Sequence, residues 1–192
     1  RDRAILLVLL STGIRASELC HITLQDLDMA ANSIKVAGKG RGRDSKERLV
    51  YIGRRTAKAL WRYLTARLGD TSPTDPLFLT GSITDPRPLT RDVLTRLISR
   101  LGDRAGVSHA YPHRFRHTFA INYLRNGGDP YTLQILLGHS SMDMVSRYLA
   151  IAQADLDAKH RRASPVENWD YKKAPSAEEA FRTDNRGYQY QI

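Results

Sequence analysis

Residues 112–120 read PHRFRHTFA and residues 136–150 read LLGHSSMDMVSRYLA. The first stretch opens a helix: Pro112 suits a first helical position, and no breaker follows until Asn126-Gly127-Gly128. On that helix His113 and Arg116 are three residues apart and face one side. The second stretch ends one helix at Gly138 and starts another near Ser141. His139 therefore sits at a helix junction, with Tyr148 nine residues further on.

The neighbouring stretches supply more helices. Asp129-Pro130 starts the helix that ends at Gly138, and Thr90 is placed to cap another running to about Arg104. Thr56–Leu68 carries Leu60, Leu64 and Leu68 at the i, i+4, i+8 spacing of a buried helical face. Residues 1–11 read as the second half of a buried helix broken at Gly13, so the chain is expected to be an excised piece of a longer protein. A short helix over Ala16 to Ile22 and a polar turn over Asp26 to Asn32 follow. Only Ser33–Ala37 and Arg48–Ile52 are clearly β-type. GKGRGRDSKE between them makes the long basic tip of a hairpin. Leu77–Leu79 is a candidate short strand and Asp85-Pro86-Arg87-Pro88 a loop. Gln153–Arg162 is helix-like, and Pro165–Ile192 is polar and aromatic with no period. The expected fold is mainly α with a small antiparallel β-sheet. Residues 1–163 form one domain and 164–192 a tail.

Composition narrows the class. A chain of 192 residues with 41% hydrophobic and 26% charged residues fits one globular domain with a sizeable core. No apolar run approaches the roughly 18–20 residues of a membrane span. Cys20 is the only cysteine, which rules out an internal disulfide and suits a reducing cytoplasm. Net charge is +10, and residues 35–67 hold eleven Lys/Arg against Asp44 and Glu47. A basic block in a near-neutral remainder points to a polyanion-binding face; a merely solvated basic surface is the plainer alternative.

The chemistry of the ordered residues fits phosphodiester cleavage. Charge building on two phosphate oxygens favours arginine forks, and a nucleophile must lie in line with the leaving oxygen. A tyrosine nucleophile stores the bond as a phosphotyrosine, which a later hydroxyl can reverse without ATP. Arg15, in STGIRASEL at residues 11–19, follows Gly13 at a helix start, and Lys39 sits in the hairpin where a loop can bring a proton donor to the leaving group. His113 and His117 have a zinc-binding spacing, but Arg114 and Arg116 would repel a cation and no cysteine or carboxylate completes a site. His117 is expected to pack or hydrogen-bond within the domain.

TGIRASEL, GKG in the hairpin, HRFRHTFA, LLGHSS and the later Tyr148 together resemble the catalytic domain of the tyrosine recombinases, also called the phage integrase family. The resemblance covers roughly residues 1–160. It implies that Arg15 and Arg116 clamp the scissile phosphate, that His113 and His139 support it by hydrogen bonding and proton transfer, and that Tyr148 attacks to give a 3′-phosphotyrosyl link. It implies Lys39 as general acid, with Lys46 the alternative because RGRDS at residues 41–45 lengthens the hairpin. Arg41, Arg43, Lys46 and Arg48 are the candidate DNA contacts. Met142–Ser146 lacks the paired threonines often seen before the tyrosine, and Ala150 replaces a frequent histidine. No metal, nucleotide or other cofactor is implied.

The resemblance also implies a partner, double-stranded DNA carrying a specific recombination site. It implies a homotetramer on two duplexes, with the isolated domain a monomer. An N-terminal core-binding domain would complete a clamp around DNA, and accessory DNA-bending or excision factors would assist. Residues 153–192, with Trp169, Tyr171 and Phe181 as anchors, are expected to dock on a neighbouring subunit. A bacterial or phage-encoded integrase of a mobile element, cytoplasmic and nucleoid-associated, is the favoured reading. A type IB topoisomerase-like relaxing enzyme and a DNA-binding module without catalysis are the rivals.

Overall fold

The structure, a computed structural model, describes residues 1–38, 47–67, 71–82, 84–139 and 141–164. Helix α1 (Asp2–Thr12) buries Ala4, Ile5, Val8, Leu9 and Thr12, a stripe at helical spacing. It stops at Gly13, whose φ of 62° lets its N–H donate to the Leu9 carbonyl at 3.0 Å. A Cβ at Gly13 would lie 2.4 Å from the Phe119 ring, so the glycine also permits a close approach. Helix α2 (Ala16–His21) begins three residues later, and the Glu18 carboxylate reaches back to accept from the Arg15 N–H at 2.7 Å.

A 3-10 turn (Leu24–Asp26) leads to β1 (Leu27–Asp28), β2 (Ser33–Val36) and β3 (Arg48–Tyr51), an antiparallel sheet in the order β1-β2-β3. Ile34 pairs with Val50, and with Val36 they face the core. The turn expected over Asp26 to Asn32 is thus partly strand, because Leu27 and Asp28 pair with Ile34 and Ser33. Helix α3 (Arg54–Thr65) starts earlier and ends sooner than leucine spacing suggests. β4 (Leu79–Gly81) pairs with β5 (Pro86–Pro88) in a second two-stranded sheet. The strand expected over Leu77–Leu79 is displaced, since Leu77 and Phe78 go into the core instead. The Asp85–Pro88 loop is largely strand: its prolines lack donors but lie exposed in a two-stranded edge that needs no further partner.

Helix α4 (Arg91–Arg104) is capped by Thr90, whose Oγ1 accepts from the Val93 N–H at 3.3 Å. Helices α5 (Pro112–Arg125) and α6 (Pro130–Leu137) match expectation, with Asp129 capping α6 through the Thr132 N–H at 2.7 Å. Helix α7 (Asp143–Ala163) is one element where two were expected, because nothing between Tyr148 and Gln153 breaks it.

The core has two clusters. One joins α1, α2, the three-stranded sheet, α3 and α4 around Ile5, Leu9, Leu19, Ile34, Leu60 and Leu94. The other joins α5, α6 and α7 around Ala120, Leu133, Leu137, Val145 and Tyr148. The chain divides into units of residues 1–153 and 154–192; of the second, residues 154–164 are described, including the last turns of α7. The tail segment holding Trp169, Tyr171 and Phe181 lies outside the described residues. No helix among the described residues is long and apolar enough to cross a membrane.

Candidate active site

The site is built on the C-terminal end of α6. The last carbonyls of any helix lack intrahelical partners, and that end carries the negative pole of the helix dipole. Three arginines from three elements meet them in register. Arg48 Nε donates to the Leu136 carbonyl at 2.8 Å, Arg116 Nη2 to that of Leu137 at 2.7 Å, and Arg15 Nη2 to that of Gly138 at 3.1 Å. Gly138 closes the helix with φ 63°, and a Cβ there would meet the Arg48 guanidinium at 3.1 Å.

Glu18 ties two of these arginines together. Its carboxylate accepts from Arg48 Nη1 and Nη2 at 3.0 and 2.8 Å and from Arg15 Nη1 at 2.8 Å. Burial pushes the Glu18 carboxyl up, but the hydrogen bonds and charge of Arg48, with the hydrogen bonds of Arg15, outweigh it and hold the group below its ordinary value. Arg116 is 2% exposed, and its Nη1 also donates to the Gly13 carbonyl at 2.9 Å. Burial, then the charge of Arg15, lower its pKa to about 10, so it stays cationic at neutral pH.

His139 follows Gly138. Its Nε2 lies 2.7 Å from Arg116 Nη2. A guanidinium has only donors, so Nε2 accepts and the ring proton sits on Nδ1. Burial, then the charges of Arg116, Arg15 and Arg48, lower the His139 pKa to about 4. The imidazole is neutral, with its Nδ1–H buried and without a partner among the described residues.

Tyr148 lies on α7, 3% exposed, with its hydroxyl likewise buried and unpartnered among the described residues. Burial raises its pKa while Arg116 lowers it, with a net rise, so the phenol keeps its proton. Its ring meets the His117 ring edge-on at 5.3 Å between centroids, and His117 meets His113 at 4.3 Å. Burial lowers the pKa of both histidines; for His113 the charges of His117, Arg116 and Arg15 add to it, and for His117 that of Arg116.

Arg15, His113, Arg116, His139 and Tyr148 are therefore neighbours, gathered from the start of α2, α5, the α6 end and α7 although 133 residues separate the first from the last. Lys39, Arg41, Arg43 and Lys46 lie outside the described residues. Arg48 departs from expectation. Its side chain is 9% exposed and its guanidinium is spent on Glu18 and the Leu136 carbonyl, so it is an internal strut and not an open DNA contact. Sequence reasoning misses two residues. Glu18 stands three after Arg15 on a helix start, the spacing of a capping carboxylate, and that signal could have found it. His117 reads from sequence as a packing residue, and its position against the Tyr148 ring needs the fold.

The arrangement can bind an anion. Buried polar groups are rarely left unpaired, because each costs about 1–3 kcal/mol. Here a donor, His139 Nδ1–H, and the Tyr148 hydroxyl both wait in one cationic cluster. Arg15, with its side chain 35% exposed, opens onto a cavity of about 600 Å³ lined also by Glu18, His21, Asp26, Lys35 and Glu47. Among the described residues no cluster of histidine, cysteine and carboxylate side chains could hold a metal ion.

Residues 1–155 match the phage integrase family. Tyrosine recombinase XerC of Pelobacter propionicus is 37% identical over 165 residues, covering 86% of this chain and 52% of the relative. The chain thus spans about half the length of the curated relatives it matches. Among solved structures, XerA recombinase superposes with a TM-score of 0.70 at 34% identity, covering 83% of this chain and 56% of that one. The Tn1549 transposon integrase, solved in complex with circular intermediate DNA, gives 0.63 at 25%, covering 81% and 59%. With its helices, small antiparallel sheets and gathered arginines, histidines and tyrosine, the chain belongs to the phage integrase family, the tyrosine recombinases.

Proposed function

We propose that this chain is the catalytic part of a site-specific DNA recombinase acting on double-stranded DNA. The observation that carries the reading is the pair of buried, unpartnered groups, the Tyr148 hydroxyl and His139 Nδ1–H, beside the Arg116 guanidinium. A phosphodiester placed there accepts from His139 Nδ1–H and from the remaining donors of Arg15 and Arg116. The Tyr148 oxygen attacks phosphorus, a 3′-phosphotyrosyl bond forms, and the bond to the 5′ oxygen breaks. The phenol proton leaves to a neutral imidazole, His113 in this reading, whose ring packs on His117, the histidine that touches the Tyr148 ring. The 5′ oxygen takes a proton from Lys39, or from Lys46 in the extended hairpin. Attack by the 5′ hydroxyl of a partner strand reverses the step and completes the exchange.

The domain comprises residues 1–163. It works as a homotetramer with accessory DNA-bending or excision factors, with residues 164–192 docking on a neighbouring subunit, in the nucleoid of a bacterial cytoplasm. Likeness to the Tn1549 transposon integrase supports integration and excision of a mobile element. The test is covalent trapping on a nicked suicide substrate carrying the protein's own site. A DNA adduct is expected from the wild type and none from Tyr148→Phe; no adduct from the wild type sinks the reading. Relaxation of supercoiled DNA with no paired site would instead favour the topoisomerase-like rival.

A further inference from the structure

The basic stretch of residues 35–67 is sorted by the fold. Lys35 pairs with Glu47 at 2.7 Å, Arg48 with Glu18, and Arg67 donates to the Pro76 carbonyl at 2.8 Å beside Asp75. Among the described residues of the stretch, Arg54, Arg55, Lys58 and Arg62 remain, all exposed on α3. At 100° per residue they fall within one arc of about 100°, with Trp61 at its margin. Trp61 is 59% exposed. None of the four cations joins an ion pair among the described residues.

The helix works against itself. Arg54 and Arg55 occupy its first turn, where the dipole repels cations, and that turn has no acidic residue. Arg54, Lys58 and Arg62 follow at i, i+4 and i+8, a like-charge spacing that destabilises a helix. The α3 sequence RRTAKALWRYLT holds no carboxylate, whereas α4 interleaves its arginines with Asp92 and Asp103. Uncompensated local conflict of this kind marks a surface kept for a partner. The row steps about 6 Å per turn-spaced cation, comparable with the separation of successive phosphates along one nucleic-acid strand, and the exposed indole, three residues after Lys58, adds an aromatic platform at the edge of the row. The opposite, buried face of the helix packs on α1, where Thr56 Oγ1 lies 3.0 Å from Ser11 Oγ, so the cationic stripe is left facing outward.

The geometry points to the outer face of α3 as a second DNA-binding surface, on which Arg54, Lys58 and Arg62 contact successive backbone phosphates away from the scissile one. This rests on the recombinase reading for its choice of polyanion. The experiment is a salt titration of binding to random-sequence duplex DNA, comparing wild type with Arg54→Gln/Lys58→Gln/Arg62→Gln. Each cation removed from a phosphate should lower the slope of log K against log salt by about 0.9, so the slope of the triple variant should fall by between about 2 and 3. The slope of the single Lys58→Gln variant should fall by about 0.9. Relief of the like-charge row should leave the melting temperature unchanged or raised, which separates weakened binding from weakened folding. An unchanged slope in the folded single and triple variants overturns the proposal, and so does weakened binding to polyglutamate with DNA binding intact. Trapping at Tyr148 is read separately, so a protein that forms the adduct but shows no α3 effect refutes this surface alone.

Discussion

Arg116 Nη2 and His139 Nε2 lie 2.7 Å apart, and that approach decides which imidazole nitrogen carries the proton. Protonating His139 would set two donors against each other within a cluster that already holds Arg15 and Arg48. Burial first, and these charges next, therefore keep its pKa at about 4 against an ordinary 6.5. The unfolded chain takes up the proton as pH drops through 6.5, while the folded chain resists until about 4. Stability is fully present above 6.5 and is lost as pH falls towards 4. Solvent screening of the half-buried imidazole limits the loss to about 1–2 kcal/mol. His113 and His117 are lowered as well and add to the loss. Urea denaturation from pH 7 to 4 measures it, and His139→Gln should flatten the curve. An NMR titration placing the His139 midpoint at or above 6.5 would refute the assignment.

Tyr148→Phe should separate stability from chemistry. The hydroxyl it removes is buried without a partner, so deleting it relieves an unpaired polar group. The variant is expected to be at least as stable as wild type, by up to about 1 kcal/mol, and to form no covalent adduct. A clear drop in stability in thermal melts would mean that the hydroxyl has an internal partner in solution.

Gly13→Ala should be severe for a single methyl group. The residue has φ 62°, and the new Cβ would lie 2.4 Å from Phe119 and 2.9 Å from Leu137. Left-handed strain and overpacking together cost about 2–4 kcal/mol. The same shift moves the Gly13 carbonyl off Arg116, so strand cleavage should fall beyond what weakened folding explains. Melts and single-turnover cleavage at a temperature where the variant is folded test both halves.

Arg48→Met should weaken the fold by about 3 kcal/mol, since it leaves the buried Glu18 carboxylate with Arg15 alone and frees the Leu136 carbonyl. It also removes a cation that depresses His139, so the His139 pKa should rise. If Arg48 instead served on the surface as a DNA ligand, its replacement would change salt-dependent binding and leave that pKa where it is. NMR titration of the variant distinguishes the two roles.

Local chemistry made much of the architecture legible. Thr90, Asp129-Pro130 and Gly138 bound their helices as their capping chemistry requires, because a cap is a bond between neighbours in sequence. The β4–β5 pair was not legible, since two exposed prolines carry no strand signal until a second strand lies beside them. The active-site residues showed by order and spacing; the pairing of Glu18 with Arg48 did not, because Arg48 lies thirty positions away.

By itself the sequence determined which groups are available: a tyrosine after a glycine–histidine junction, arginines at two helix starts, and a basic block between them. Tertiary structure alone decided how those groups are used. It set Arg48, Arg116 and Arg15 on the successive carbonyls of Leu136, Leu137 and Gly138, so one cation of the basic block became a strut while four stayed on the surface of α3. The physical reason is that burial and charge act through space. A guanidinium's role depends on which acceptors the fold brings within about 3 Å of it, and those acceptors lie far from it along the chain.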